Sequence, residues 1–301
     1  MALIREKYRI KNTTGYSINA LADFSPENPV EILKRLMVGS EGTLGFVSRV
    51  TYNTVPDLPF KASAFLIFHD IEEACDATSA LKANTSVDAV EIFDRRSLTQ
   101  CERMGELPKL CPEITRLPED GEGAALLIEC RGEDEAALKA AIDEVLIALR
   151  NSKVPVASQV GYNEEAFRHD PKEYNVFWDA RKGLIPIVGG ARETGTSMLL
   201  EDVACSTEKL GKMSKDLIAI FRKWGYHDAC LMGHALEGNL HLIFNQVRGP
   251  SPSTFRLTRA PALLGPSKRK PLHLPPCSKP TSLRTPLADP HLPTIVELQD
   301  A

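Results

Sequence analysis

Alternating strand and helix patterns in the middle of the chain restrict its fold more than any other feature. The apolar run Ala62–Phe68 predicts a buried strand, and Asp70 with Glu73 three residues later is typical of a helix start with a capping box. Ala124–Cys130 predicts a second strand, and Asp134 opens a second helix. Two such passages predict an α+β fold with a split βαβ, ferredoxin-like core and helices on one face of the sheet.

Other elements are predicted from shorter patterns. A third unit is expected to contain a helix whose apolar stripe consists of Leu210, Met213, Leu217, Ile220, Phe221 and Trp224. Additional strands are predicted at Leu44–Tyr52, Ala89–Phe93, Val154–Ser158 and Ser197–Val203.

Composition excludes several classes of protein. The formal net charge is −4, so there is no basic field that would attract nucleic acid. Apolar runs stay far below the ~18 residues of a membrane span, and the N-terminus has no apolar signal region. The seven cysteines are scattered without a Cys-x-x-Cys pair, which argues against a disulfide framework, zinc ribbon or iron–sulfur site. We expect a cytoplasmic protein, with peripheral attachment to the inner membrane and homo-oligomerisation as open alternatives.

The composition changes near Arg248. Eleven of the 21 prolines fall in residues 248–301, among many Ser, Thr, Lys and Arg and without apolar periodicity. Such a segment buries too little apolar surface to offset its ordering entropy. We therefore expect residues 248–301 to be a disordered tail.

A glycine-rich segment precedes the first long strand. It reads Gly39, Ser40, Glu41, Gly42, Thr43, Leu44, Gly45. Three glycines in seven residues allow positive φ angles and a close backbone approach to a ligand, and exposed amides tolerate an anion. An ordinary glycine-rich turn into a strand is the alternative.

Two histidines flank a predicted hairpin turn. If Glu237 and Gly238 form a two-residue turn, His234 and His241 are directly opposed on one face of the hairpin. Two imidazoles so placed can bind one divalent metal ion. The alternative is a pair of polar strand residues near the surface.

The glycine-rich segment and an earlier motif carry a family resemblance. Residues 11–17 read Lys-Asn-Thr-Thr-Gly-Tyr-Ser, and this motif followed by residues 39–45 resembles the FAD-linked oxidases of the vanillyl-alcohol-oxidase-like superfamily. Within it, the resemblance is to enzymes of the D-lactate dehydrogenase (cytochrome) or D-2-hydroxyacid dehydrogenase type and covers residues 5–247. It implies that FAD contacts Asn12, Gly15, Tyr16 and residues 39–45.

The resemblance also implies a domain arrangement. Residues 1–55 correspond to the C-terminal part of an FAD-binding (PCMH-type) domain, and residues 56–247 to the ferredoxin-like α/β substrate (cap) domain. The first flavin-binding subdomain, with the loop that holds the FAD pyrophosphate, is expected to precede residue 1. The chain is thus expected to be a fragment of such an enzyme.

Site residues follow from the same resemblance. His234, Gly238, Asn239 and His241 match a His-x-x-x-Gly-Asn-x-His motif, in which the histidines hold a zinc-like divalent metal or face the substrate and the asparagine helps line the pocket. The family's third ligand lies in a later Glu-His-Gly motif, and this chain contains no Glu-His pair. Arg181 matches a Trp-x-x-Arg motif whose arginine binds the substrate carboxylate.

An acidic residue at the position of Asp202 is expected to support the pocket, with an ordinary loop carboxylate as the alternative.

The activity implied is the FAD-dependent oxidation of a small D-2-hydroxy acid, of D-lactate or D-2-hydroxyglutarate type, to the 2-oxo acid. Electrons would pass to a quinone, cytochrome or iron–sulfur acceptor. Two alternatives stay open: another FAD-linked oxidase, such as a glycolate or aldonolactone oxidase, and an inactive fragment that acts as a ferredoxin-like binding or dimerisation module.

Overall fold

The computed structural model describes residues 1–12, 15–118, 121–247 and 299–300. Its helices are α1 (Ala2–Lys7), α2 (Ala20–Asp23), α3 (Pro29–Met37), α4 (Ile71–Asn84), α5 (Arg95–Glu102), α6 (Leu107–Leu110), α7 (Glu135–Ser152), α8 (Pro171–Ala191) and α9 (Leu210–Lys223). Its strands are β1 (Thr51–Tyr52), β2 (Phe60–Phe68), β3 (Ala89–Phe93), β4 (Ala124–Gly132), β5 (Phe167–Arg168), β6 (Thr196–Ala204), β7 (Cys230–His234), β8 (Asn239–Val247) and β9 (Gln299–Asp300).

Strands β2 to β8 form one antiparallel sheet in the order β5-β2-β4-β3-β7-β8-β6. Helix α4 connects β2 to β3, and α7 connects β4 towards β5, so two βαβ units interleave in the first four strands. This is the split βαβ arrangement of a ferredoxin-like core. The predicted α+β fold is therefore confirmed, and β6, α9, β7 and β8 extend the same sheet.

Helices cover both faces of this sheet, so the prediction of helices on one face was wrong. Leu66 and Phe68 of β2 pack in a core with α4, α7 and α9, whereas Phe65 and Ile67 pack in a second core with α5, α6 and α8. The reason is visible in the sequence, because β2 is a continuous apolar run and does not alternate with polar residues. A strand of this kind is typically buried on both faces.

The predicted helix starts are confirmed. The carboxylate of Asp70 accepts hydrogen bonds from the amides of Glu72 and Glu73, and that of Asp134 accepts from Ala137. Glu73 reaches back to the amide of His69 (3.0 Å), one residue before the expected partner in a capping box. Local side-chain chemistry therefore fixes where α4 and α7 begin.

The stripe predicted for α9 is only partly buried. Leu210 is fully buried, but Ile220 and Trp224 are 40% and 47% exposed. Met213, Leu217 and Phe221 pack against the core, whereas Ile220 is on the exposed side of α9 and Trp224 follows its last residue.

Two of the predicted strands are not formed as expected. Residues 154–158 are not a strand, although the amide of Ala157 donates to the carbonyl of Ile67 (2.8 Å), and the two-residue β5 is the edge partner of β2. In the run Leu44–Tyr52, only Thr51–Tyr52 is a strand, and Phe46 is 92% exposed. Apolar runs form strands only where a neighbouring strand is available to pair with them.

Residues Met1–Gly45 and Thr54–Val247 form one compact unit, and Phe46–Asn53 belongs to a second. In the second unit, β1 pairs in parallel with β9. Residues 248–301 were predicted to be disordered. Apart from residues 299–300, they lie outside the described part of the chain. Among the described residues, no helix combines the length and apolarity needed to cross a bilayer.

The hairpin between β7 and β8 depends on glycine at position 238. Gly238 has φ +60°, and a Cβ there would overlap the backbone carbonyl oxygen of Cys205. Gly225 also has a positive φ (+83°), but a Cβ there would enter open space. The free-energy cost of the left-handed backbone can therefore be measured at Gly225, and the added cost of the steric overlap at Gly238.

We expect Gly225→Ala to lower the free energy of unfolding by about 1–2 kcal/mol, the cost of a left-handed conformation. Gly238→Ala should cost more than about 3 kcal/mol, because the overlap with backbone adds to that strain. Urea unfolding of both variants measures the difference. Equal losses would show that the contact with Cys205 contributes nothing.

Candidate functional site

Four polar side chains form a row across four neighbouring strands. Glu91 of β3 is opposite His234 of β7, and Asp202 of β6 is opposite His241 of β8. Since β7 and β8 are adjacent, the order across the sheet is Glu91, His234, His241, Asp202. All four point to the face covered by α8, so the sheet brings together residues from both halves of the domain.

The predicted pairing of the two histidines was wrong by two residues. Ala235–Glu237 form a turn of 3-10 helix before Gly238, and His241 is opposite Met232. His234 is therefore the diagonal neighbour of His241. A shift of two residues keeps a side chain on the same face of a strand, so the rings still meet, edge to face, with centroids 5.1 Å apart.

Each histidine is held by a carboxylate through the same ring atom. Nδ1 of His234 is 2.7 Å from Oε1 of Glu91, and Nδ1 of His241 is hydrogen-bonded to Oδ1 of Asp202. An ionised carboxylate only accepts hydrogen bonds, so both Nδ1 atoms donate. The Nε2 atoms are consequently left for a metal ion or a substrate, as in carboxylate–histidine–metal arrangements.

The electrostatics of the row follow from burial and pairing. Burial by itself would raise the pKa of Glu91, but the hydrogen bond from His234 and the charge of Arg181 outweigh it and lower that pKa below its usual value. Burial is also the largest influence on His241 and lowers its pKa, although Asp202 acts in the opposite direction. Glu91 is thus a stable anion, and His241 favours the neutral form.

Arg181 of α8 contacts the row at Glu91 and the neighbouring Met232. Its Nε donates to Oε2 of Glu91 (2.7 Å), and Nη1 is 3.4 Å from the sulfur of Met232. The side chain is 13% exposed. Among the described residues, Nη2 has no hydrogen-bond partner, so one donor of the guanidinium fork is available to a ligand.

Trp178 anchors α8 one turn before Arg181. Its Nε1 donates to Oγ of Ser63 (3.1 Å), and Ser63 is in turn 3.4 Å from Oε2 of the buried Glu129. Positions three residues apart lie on one side of a helix. The two bonds from Trp178 and Arg181 therefore fix the rotation of α8 above the sheet.

Sequence reasoning missed Glu91, Ser63 and Glu129. Each is a polar residue within a run that otherwise predicts a buried strand, and that contrast is the signal that was available. A carboxylate buried in a strand needs partners. Glu129 pairs with Arg131 in its own strand, but the sequence gives no indication of the partners of Glu91 on β7 and α8, which lie 90 and more residues away.

Asn239 lies beneath the site and is fully buried. Its Oδ1 accepts from Nζ of Lys11 (2.7 Å), and its Nδ2 donates to the carbonyl of Val203 (3.1 Å). Both polar atoms of the side chain are therefore occupied by protein. Its predicted role in lining the pocket stays a prediction.

The two predicted flavin segments lie against each other. Gly15, Gly39, Glu41 and Gly42 all have positive φ, and the hydroxyls of Tyr16 and Thr43 are 2.9 Å apart. Of the remaining predicted contacts, Asn12 and Leu44 are exposed, Ser40 is buried, and Gly45 lies beside Met37.

The turn at residues 39–43 presents glycine backbone to open space at Gly42. A strip of exposed backbone of this kind fits one part of a bound dinucleotide.

A complete metal site is not formed by the described residues. Among them, no group of three or more His, Cys, Asp or Glu side chains is arranged to hold a metal ion. His234 and His241 supply two nitrogen ligands, and a tetrahedral zinc site in a protein takes three or four.

Known proteins resemble this chain over most of its length. It is 28% identical over 210 residues to glycolate oxidase subunit GlcD of Bacillus subtilis (strain 168), covering 69% of this chain and 40% of that protein. It is 26% identical over 233 residues to a probable mitochondrial D-2-hydroxyglutarate dehydrogenase of Oryza sativa subsp. indica, covering 76% and 38%.

Similarity extends to a mitochondrial D-lactate dehydrogenase [cytochrome] of Kluyveromyces lactis, with 25% identity over 243 residues, 78% of this chain and 36% of that protein. A solved structure of an alkyldihydroxyacetonephosphate synthase superposes with a TM-score of 0.49 at 15% identity, covering 72% of this chain and 42% of that one.

The chain spans about two fifths of the length of the curated relatives it matches. Residues 58–252, well over half of the chain, match the family described as FAD linked oxidases, C-terminal domain. The predicted family resemblance is thereby confirmed. The chain belongs to the FAD-linked oxidases through this C-terminal domain.

Proposed function

We propose that this chain forms the substrate-binding part of an FAD-dependent enzyme that oxidises a small D-2-hydroxy acid to the 2-oxo acid. One observation carries the proposal. Arg181 and His234 share the carboxylate of Glu91, and the ring of His234 meets that of His241, so a cation and two histidines with their Nδ1 atoms held by carboxylates form one connected group. A 2-hydroxy acid carries a carboxylate and a hydroxyl on neighbouring atoms, and this arrangement matches both groups.

Arg181 is assigned to the carboxylate. Its Nη2 is the free donor, and Glu91 holds Nε, so the guanidinium is oriented before the substrate arrives. Fixing the position of a binding group in advance lowers the entropy cost of binding. The carboxylate contact then places the hydroxyl towards the histidines.

His241 is assigned to the hydroxyl proton. Asp202 keeps the proton of the imidazole on Nδ1, so Nε2 has the lone pair that accepts the proton of the substrate. The same carboxylate stabilises the imidazolium that results. His234, held by Glu91, lies at 5.1 Å and shapes the other side of the hydroxyl position.

Two groups from outside the chain complete the proposal. FAD, when bound along residues 12–16 and 39–45, supplies the hydride acceptor, and its electrons go to a quinone, cytochrome or iron–sulfur partner. In the alternative arrangement, a zinc-like divalent metal ion would be held by Nε2 of His234 and His241 with a further ligand. It would then replace His241 as the group that promotes loss of the hydroxyl proton, because it would lower the pKa of a coordinated hydroxyl. The described residues offer two of the three or four ligands that such an ion takes, so metal dependence is a separate question for experiment.

The proposal covers small 2-hydroxy acids as a class and does not select one of them. The curated relatives are named for glycolate, D-lactate and D-2-hydroxyglutarate, all of them 2-hydroxy acids. Product identification with each acid distinguishes them. A flavin-free preparation with no turnover would instead favour the inactive ferredoxin-like module. Cytoplasmic location, attachment to a membrane surface and oligomeric state stay predictions.

Arg181→Lys tests the carboxylate assignment. Residues 5–247 are placed in a full-length relative, and D-2-hydroxy acid oxidation is followed by bleaching of the flavin absorbance. Lysine offers a point charge in place of a planar fork, so kcat/KM should fall roughly ten- to a hundredfold, as expected for losing a charge-assisted hydrogen bond. Arg222→Lys, on the exposed surface of α9, is the matched control and should change kcat/KM less than about twofold. If the two variants behave alike, Arg181 does not bind the carboxylate.

His241→Ala in the same chimera tests the proton assignment. The rate of flavin reduction at saturating acid should fall by about 10²–10⁴, the usual contribution of a general base. Metal content, measured by plasma mass spectrometry, should fall as well if the histidines hold an ion. The exposed His227 provides the control, since His227→Ala should leave both quantities unchanged. A normal reduction rate in His241→Ala would remove the histidine from the reaction.

Trp178→Phe tests whether α8 positions Arg181. The aromatic ring is kept, but the N–H that bonds Ser63 is lost, so the KM for the acid should rise about fivefold, the equivalent of one hydrogen bond. Ser63→Ala should have the same effect, and the double variant should add little. Trp224→Phe, on the exposed end of α9, should be neutral. Additive effects of Trp178→Phe and Ser63→Ala would mean that their bond does not transmit the position of α8.

A further inference from the structure

The N-terminal segment meets the histidine strands at one buried amide. Nζ of Lys11 donates to Oδ1 of Asn239 at 2.7 Å, across 228 positions of sequence. Asn239 has no exposed surface, and its Nδ2 donates to the carbonyl of Val203. A buried carbonyl oxygen without a donor would cost free energy, so the hydrogen bond from Lys11 stabilises the folded hairpin.

Position 239 connects this contact to the candidate site. Asn239 begins β8 and lies two residues before His241, on the same face. Val203, which accepts from its amide, follows Asp202 on β6. Asparagine is a side chain with both a donor and an acceptor, so it can join β6 and the lysine at once. Asn239 therefore ties together the two strands that carry His241 and Asp202.

On the other side, the residues that flank Lys11 in the sequence contact the glycine-rich segment. Tyr8 donates a hydrogen bond from its hydroxyl to the carbonyl of Tyr16 (2.7 Å), which joins residues on either side of Lys11 in the sequence. The hydroxyl of Tyr16 then contacts Thr43. Lys11 thus contacts Asn239, and Tyr16, five residues further along the chain, contacts the turn at residues 39–43.

We propose that Lys11 is a positioning residue, which holds the glycine-rich segment against the histidine strands through Asn239. Its importance for catalysis rests on the proposed function, since the segment it holds is the one assigned to FAD and the strand it holds carries His241. A lysine suits this place because its long stem reaches a buried acceptor while the backbone stays at the surface.

Hydrogen–deuterium exchange on the full chain tests the contact without any cofactor. In Lys11→Met, which keeps the length of the side chain but removes the donor, amides of residues 8–18 and 39–45 should exchange roughly ten- to a hundredfold faster, as expected for losing one charge-assisted hydrogen bond. Amides of β2 serve as the internal reference and should not change. The matched control is Lys7→Met, at the exposed end of α1, which should exchange like the parent.

Further variants distinguish a positioning role of Lys11 from a general loss of stability. Lys11→Arg retains a cationic donor and should restore most of the protection. Asn239→Ala should loosen the same two segments, and adding Lys11→Met to it should have little further effect, because the bond is already absent. The proposal is overturned if Lys11→Met exchanges like Lys7→Met, or if the two substitutions are additive.

A kinetic measurement separates this proposal from the proposed function. In the chimera, Lys11→Met should slow flavin reduction at saturating acid by about fivefold or more, while the KM for the acid stays within about twofold, since Arg181 is unaffected. If the chimera has no hydroxy acid oxidation but the exchange results hold, the proposed function fails and the contact through Lys11 stands. A larger effect on KM than on the reduction rate would contradict the role assigned to Lys11.

Discussion

The candidate site depends on the pairing of the Glu91 carboxylate with Arg181 and His234. The carboxylate is buried in the middle of the sheet, where an unpaired charge would be very costly, and it is stabilised by Arg181 on one oxygen and His234 on the other. Because these partners come from a helix and from a neighbouring strand, the carboxylate fixes both relative to β3. Removing it would leave a largely buried guanidinium without its partner and a histidine without a fixed tautomer.

Much of the fold could be predicted because its signals are local. Asp70 and Asp134 cap the amides that follow them, and the apolar runs of β2 and β4 determine their own burial. The covering of both sheet faces was missed because a strand buried on both sides was taken for one buried on a single side. The strand predicted at residues 154–158 is not formed for a different reason, since the edge position beside β2 is divided between Ala157 and the separate β5.

The site was harder to predict because its geometry depends on partners distant in sequence. His234, His241 and Arg181 were recognisable from motifs, but the turn type set the register of the hairpin, and Gly238 with its close contact to Cys205 set the turn. The roles of Glu91 and Ser63 become visible only from their hydrogen bonds to Arg181 and Trp178. The contact between Lys11 and Asn239 spans nearly the whole domain, and neither residue alone indicates the other.

The two anchors of α8 have a mechanical consequence. Trp178 and Arg181 are attached to the sheet only three residues apart, about 4.5 Å along a helix of 21 residues and roughly 31 Å. Two hydrogen bonds on the same side of a helix oppose rotation about its long axis, whereas tilting is resisted by the buried residues from Phe177 to Val188. The apolar packing therefore sets where α8 lies, and the two polar anchors set the direction in which Arg181 points.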